Sequence, residues 1–163
     1  MTIGQNAIGA NFTDPLTLGT AVDVYPEFEL GTHMKGDAGR EYVYVRANGA
    51  ITANDVVFID ENHQADQLDT TNSASAFGRM LGVAPATFAD DQYGWIQIKG
   101  ACTLNVGSAC AANTQLNSTG TAGRVDDDGT AGSEVAEGLA TTGIESSNTA
   151  AGWLNYPRVG ATL

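Results

Sequence analysis

Basic residues are scarce in this sequence. Only 7 lysines and arginines stand against 19 aspartates and glutamates, which gives a formal net charge of −12. An acidic surface repels phosphate, so we expect no binding to nucleic acid. The acidity itself is typical of a surface that keeps a protein in solution.

Long apolar runs are also lacking. No stretch approaches the ~20 apolar residues that a membrane-spanning helix needs, so we expect no contact with a membrane. Residues 1–12, MTIGQNAIGANF, lack the charged and apolar regions of a secretory signal. We therefore expect a soluble protein that is not exported by that route.

Histidine, the usual general base near neutral pH, occurs only at His33 and His63. The chain has no GxSxG or HExxH motif and no glycine-rich phosphate loop. We expect no catalytic residue, no cofactor and no enzymatic activity. A Ser-His-Asp set assembled from distant parts of the chain is the alternative that the sequence leaves open.

Carboxylates gather at Asp126–Asp128, but without the DxDxDG alternation of a calcium loop. Consecutive aspartates point to different sides of an extended chain. We therefore predict a turn in which aspartate side chains bond the backbone and Gly129 takes a positive φ. No metal site is expected, and structural calcium is the alternative.

The chain has only two cysteines, Cys102 and Cys110, and they do not form a CxxC pair. A disulfide between them would require two strands to bend back on each other. We predict two buried thiols in a reducing compartment, with the disulfide as the alternative.

What the sequence does have is 20 glycines, together with many Ala, Thr, Asn, Asp and Ser residues. Such a composition favours short strands joined by turns over long helices. The strand signals are clear at Tyr42–Val45 and at Val56–Ile59. Residues 94–99 alternate between apolar and polar side chains, as a half-buried strand does.

One β unit is written twice. LGVAPATFADDQYGWIQI, Leu81–Ile98, matches EGLATTGIESSNTAAGWLNY, Glu137–Tyr156, at a near-constant offset. The pair Gly94-Trp95 falls on Gly152-Trp153, so both tryptophans hold the same place in the unit. This matched position favours packing in a core or an interface for Trp95 and Trp153, with stacking on a sugar as the alternative.

The match extends upstream, where Val43–Asp60 falls on Cys102–Thr119. Cys110 then corresponds to Ile51, and we predict that Cys110 is a small buried hydrophobe in the core or an interface, as Ile51 is, and not a ligand or nucleophile.

The duplication predicts an all-β fold. Each unit, about 42–99 and about 101–157, supplies about four short strands, too few to close a core alone. Two units together give about eight strands, enough for a small barrel or sandwich over residues 41–163.

Residues 1–40 lie outside the repeat and are predicted to form an extended N-terminal arm. Apolar residues are spaced through Gly, Asn, Thr, Asp and Pro without a helical or strand period. We expect the arm to dock on a neighbouring subunit or partner, and a wrap across its own barrel is the alternative. The anchors that we predict to make this contact are Phe12, Leu16, Leu18, Val24, Tyr25, Phe28 and Leu30.

From about Phe28 onward the sequence resembles the decoration, or cement, proteins of tailed bacteriophage heads. The resemblance rests on three segments: FELGTHMKGDAGREYVYVRANGAITANDVVFID, GVAPATFADDQYGWIQIKGACTLNVGSACAANTQL and AAGWLNYPRVGATL. It implies a β-rich body that assembles as homotrimers on the outer surface of the capsid, bound to the major capsid protein. It also implies a role in stabilising the virion shell, with no catalytic residue. The alternative is a carbohydrate- or receptor-binding module of a phage tail or fibre, which exposed tryptophans would favour.

Overall fold

The computed structural model describes residues 10–16 and 26–163, and it is built almost wholly of β-strands. The all-β prediction is confirmed. The only helical elements among the described residues are one 3-10 turn, Asp37–Gly39, and one short α-helix, α1 (Thr70–Ser73). The strands are β1 (His33–Lys35), β2 (Glu41–Ala47), β3 (Val56–Ile59), β4 (Gln64–Gln67), β5 (Met80–Val83), β6 (Tyr93–Asn105), β7 (Asn117–Ser118), β8 (Val125–Asp126), β9 (Glu134–Thr141) and β10 (Thr149–Thr162).

Five strand pairings close a small barrel in the first half of the chain. Strand β2 pairs with β6 on one side and, in parallel, with β4 on the other; β4 pairs with β3, β3 with β5, and β5 with β6. The ring therefore returns to its starting strand. Its interior is the apolar cluster Val43, Val45, Ala47, Ile51, Val57, Ile59, Ala65, Ala84, Phe88, Ile96 and Ile98.

The second half of the chain closes in the same way. Strand β10 pairs with β6 and with β9, β9 pairs with β7, and β7 pairs with β8. A parallel bridge from Val125 to Val106, just past the end of β6, completes the ring. The buried cluster inside it includes Leu104, Cys110, Leu116, Leu139 and Leu154.

Strand β6 belongs to both barrels. Its first half lines the first barrel and its second half the second, and Gly100, with φ of +92°, lies between the two halves. Each unit was predicted to have too few strands to close alone. The structure differs because one 13-residue strand serves two rings and a parallel pair closes each of them.

The two barrels also share packing. Val56, Leu81 and Val83 point away from the interior of the first barrel and pack into the apolar cluster of the second. The two rings therefore bury a common apolar surface instead of forming separate lobes.

Local details of the two halves correspond. Asn54 has φ of +72° and its N–H donates to Ala84 O at 2.8 Å; Asn113 has φ of +60° and donates to Thr141 O at 2.9 Å. The N–H of Asn48 bonds Ala65 O at 2.8 Å, and that of Gly107 bonds Val125 O at 2.9 Å. The division into two tandem units stays a prediction, which these correspondences support.

The sheet begins before residue 41. Strand β1 pairs antiparallel with β2, so His33–Lys35 is part of the β body although the sequence predicts an arm there. Within residues 10–16 and 26–163, no helix combines the length and apolar character needed to cross a membrane.

Candidate interaction surfaces

Trp95 is the centre of an aromatic cluster on the outside of the first barrel. Its side chain is only 2% exposed. The rings of Phe28 and Tyr44 meet it edge to face at 5.0 Å, and that of Phe12 at 5.3 Å. Phe12 also stacks on Tyr42 at 4.0 Å. Each such pair contributes roughly 0.5–1.5 kcal/mol beyond its buried area, so this cluster fixes the N-terminal segment on the barrel.

The described arm residues contact their own chain. Phe12, Phe28 and Leu30 belong to the Trp95 cluster, and Leu16 exchanges backbone hydrogen bonds with Tyr93 at 2.6 and 2.8 Å. These residues follow the alternative arrangement, a wrap across the arm's own barrel. Leu18, Val24 and Tyr25 lie outside the described residues. Contact of the arm with a capsid or a neighbouring subunit stays a prediction.

The tyrosines beneath the arm behave as apolar walls. Burial raises the pKa of Tyr42 to about 12 and also raises the pKa of Tyr44. Both phenols therefore stay protonated across the neutral range.

Trp153 holds the matching position in the second barrel, yet its surroundings are different. On the outer face of β10 its side chain is 51% exposed. It lies opposite Ala101 of β6 on one side and Ala140 of β9 on the other, with Ala151 and Asn155 two residues away on its own strand. We call these five residues the Trp153 face. Trp153 is thus not a core residue of this chain, and its predicted place in an interface stays a prediction.

The reason for the difference lies in the neighbours. Residues on directly opposed strands share a face, and in the first barrel the residue opposite Trp95 is Tyr44. In the second barrel it is Ala101, which offers no ring. No segment among the described residues covers Trp153; the described aromatic side chains of the arm, Phe12 and Phe28, lie on Trp95.

A polar cluster borders the Trp153 face. The Tyr156 hydroxyl donates to Glu41 Oε2 at 2.6 Å, and Lys99 Nζ donates to Glu41 Oε1 at 2.9 Å. Lys99 Nζ also lies 5.1 Å from the centre of the Tyr156 ring. The hydrogen bond from Tyr156, then that from Lys99, lowers the pKa of Glu41, and Glu41 in turn raises the pKa of Lys99. The cluster joins β10 of one barrel to β2 of the other.

Cys110 and Ile51, the predicted matching pair, are both buried. Cys110 and Cys102 are free thiols; two buried thiols were expected, but Cys102 is only partly buried. Burial raises the pKa of Cys102 to about 12 and that of Cys110 to about 11, so neither is a thiolate near neutral pH.

One group of potential metal ligands occurs among the described residues. The Cys110 sulfur and a carboxylate oxygen from each of Asp126 and Asp127 lie within 4.8 Å of one another. The thiol is protonated, and burial raises the pKa of Asp126. The Cys110 thiol would therefore have to lose its proton before its sulfur could bind a cation here.

The predicted aspartate turn is confirmed. Asp126 Oδ1 accepts from the Asp127 N–H at 2.8 Å, and Asp128 Oδ1 accepts from the Thr130 N–H at 3.1 Å. Gly129 has φ of +61°, the left-handed conformation that the turn requires.

Comparison with solved structures finds the same fold in a phage particle. A chain from the capsid of Myoviridae phage XM1 superposes with a TM-score of 0.57 at 17% sequence identity, over 85% of this chain and 94% of that one. No protein-family profile and no curated protein matches the sequence. At this identity the likeness establishes a common fold.

Proposed function

We propose that this chain is a non-catalytic structural protein of a phage virion. It binds the outer surface of the capsid and stabilises the shell as a decoration, or cement, protein. Its partners are the major capsid protein and further copies of itself, in a homotrimer. It requires no cofactor and contacts neither nucleic acid nor membrane.

The observation that carries this proposal is the fold shared with a chain of the phage XM1 capsid, over most of the length of both chains. A shared fold alone does not fix a function. Here the shared fold agrees with a second line of support, the resemblance of the sequence of residues 28–163 to decoration proteins.

The architecture suits a stabilising role. Closed barrels leave few unpaired strand edges, so the body resists edge-to-edge aggregation when many copies are concentrated on a shell. A net charge of −12 keeps the outer surface of a particle from binding stray DNA.

Binding through the arm can be tested without disturbing the Trp95 cluster. The triple variant Leu18→Ser, Val24→Ser, Tyr25→Ser keeps Phe12 and Phe28, and its thermal unfolding is measured beside that of wild type to verify the fold. We expect it to cosediment more weakly than wild type with heads prepared without this protein. Full-strength cosedimentation of this variant would assign binding to the body instead.

Stabilisation of the shell can be tested separately from binding. Heads that lack the protein should release their DNA at a lower temperature than heads to which the purified protein has been added back. Equal release temperatures would show that the protein does not stabilise the shell.

Exposure of Trp153 favours a second candidate, a carbohydrate- or receptor-binding module. A half-exposed indole beside an asparagine can stack on a sugar ring while the amide bonds its hydroxyls. Quenching or a shift of Trp153 fluorescence by soluble glycans would support this candidate. The buried Trp95 serves as the internal reference, and unchanged emission would leave the decoration proposal in place.

A further inference from the structure

We propose that the Trp153 face is a contact between copies of this chain, in which the indole of one copy rests on the alanines of its neighbour. The proposal names the surface for the self-association included in the proposed function. It does not depend on binding to a capsid.

The first argument comes from the other barrel. The face that holds Trp95 is completed by rings on adjacent strands and by Phe12 and Phe28 from the arm. The same strand face in the second barrel carries the tryptophan without these rings. A buried indole at one copy of the position and a half-exposed one at the other indicate that the second lacks its cover.

The second argument is shape. Ala101 and Ala140 flank Trp153 across the neighbouring strands, and Ala151 precedes it on the same face of β10. The large indole therefore projects from a surface whose neighbouring side chains are small. A projection and a shallow floor on one surface are self-complementary, because each copy supplies what the other needs, either about a twofold axis or around a ring.

The third argument is charge. None of the five residues of the Trp153 face is charged, in a chain whose net charge is −12. Charged residues around the face are paired: Arg40, whose Nε donates to Ala101 O, with Asp37 at 3.0 Å, Lys99 with Glu41 at 2.9 Å, and Arg158 with Glu137 at 2.8 Å. Two strongly acidic copies can therefore meet here without bringing unpaired carboxylates together.

A tryptophan in the centre of an apolar patch is the residue type that most often dominates an interface. The patch is nevertheless small beside the ~800 Å² per partner of a stable complex. We therefore expect Trp153 to be essential to a contact that the rest of the interface extends, and its loss to weaken self-association by at least about tenfold.

Sedimentation velocity over a range of concentrations tests the proposal with Trp153→Asp. Phe77→Asp is the matched control, because Phe77 is 78% exposed and lies outside the face. Wild type and Phe77→Asp should sediment as the same oligomer, and Trp153→Asp as the 16.8 kDa monomer. Ala101→Trp, which fills the floor and keeps the indole, should also dissociate the oligomer. Thermal unfolding of each variant verifies its fold.

Tryptophan fluorescence provides a second measurement beside sedimentation velocity. Acrylamide should quench Trp153 in dilute protein and lose access to it as the oligomer forms, while Trp95 stays protected throughout. A monomeric wild type, or a Trp153→Asp protein that associates as wild type does, would overturn the proposal. Loss of head binding by Trp153→Asp with self-association intact would also overturn it, because the face would then belong to the shell. Capsid binding by a wild-type monomer would remove this contact and the homotrimer but leave the proposed binding to the capsid standing.

Discussion

Trp95 lies directly opposite Tyr44 on the neighbouring strand, and the two rings meet edge to face at 5.0 Å. The matching tryptophan of the second barrel, Trp153, lies opposite Ala101 and stays half-exposed. The two tryptophans, which the predicted repeat places in matching positions, thus have different surroundings. In the first barrel the tryptophan anchors the chain's own N-terminal segment, and in the second it is available to another molecule.

Removing the cover from Trp95 should cost stability. Phe12 is buried between Tyr42 and Trp95, so Phe12→Ala should lower the free energy of unfolding by about 3 kcal/mol. Chemical denaturation measures the change, and acrylamide quenching should show Trp95 becoming accessible. The control is Phe77→Ala, because Phe77 is 78% exposed and should change stability by less than about 0.5 kcal/mol. Equal stability of the two variants would mean that the segment is not fixed to the barrel in solution.

Alanine substitutions at two glycines distinguish the cost of backbone strain from the cost of a steric clash. Gly138 and Gly78 both have positive φ, but a Cβ on Gly138 would lie 2.8 Å from Asn155 O, whereas one on Gly78 meets nothing within 4 Å. Gly78→Ala should therefore cost about 1 kcal/mol of unfolding free energy and Gly138→Ala about 2 to 4 kcal/mol. Equal losses in urea denaturation would contradict the close approach of β9 and β10.

Both thiols should be inert in the folded protein. Burial raises their pKa values to about 12 for Cys102 and about 11 for Cys110. A chromogenic disulfide reagent at pH 8 should react at least about 100-fold more slowly than with free cysteine, and should count two thiols after unfolding without reductant. Fewer than two thiols after unfolding would reveal a disulfide.

The polar cluster around Glu41 should make a pH-dependent contribution. The pKa of Glu41 is lowered from an ordinary value of 4.5, first by Tyr156 and then by Lys99. The stabilisation is therefore present above the unfolded-state pKa and lost as pH falls through the lower folded-state pKa. Lys99 has a raised pKa, so its share is present below its ordinary value of 10.5 and lost at more alkaline pH.

Tyr156→Phe tests this arrangement, because it keeps the ring and removes the hydroxyl that donates to Glu41. Side-chain NMR titration should place the Glu41 pKa of the variant above that of wild type. The destabilisation by Tyr156→Phe should be greatest near neutral pH and shrink in acid. An unchanged Glu41 pKa would show that the hydrogen bond does not form in solution.

Local sequence patterns located β2, β3 and the first part of β6 among the ten described strands. The β-branched and aromatic run at Tyr42–Val45 lies within β2, and the apolar run Val56–Ile59 is β3. Local side-chain preferences suffice there, because each run is short and buried. Strand β6 was recognised only over residues 94–99. Its continuation to Asn105 passes through Gly100, a residue that locally indicates an interruption.

Sequence reasoning failed where the outcome depends on neighbours across the sheet. The duplication predicts that Trp95 and Trp153 occupy matching positions, but not which residues face them. Tyr44 and Ala101 determine that one indole is buried and the other half-exposed, and both are set by strand register. The closure of each strand ring could not be predicted for the same reason. It depends on the parallel pairing of β2 with β4 and of Val106 with Val125, and the local sequence does not indicate that these residues pair.

Binding to the shell is the central claim, and cosedimentation tests it most directly. Purified protein would be mixed with heads, assembled without it, of the phage that carries this sequence, and pelleted through a sucrose cushion over a range of concentrations. We predict saturable binding at a fixed number of copies per head, with the protein removable by protease from the outside of intact particles. Failure to pellet with heads under conditions in which the protein is folded would contradict the proposed function.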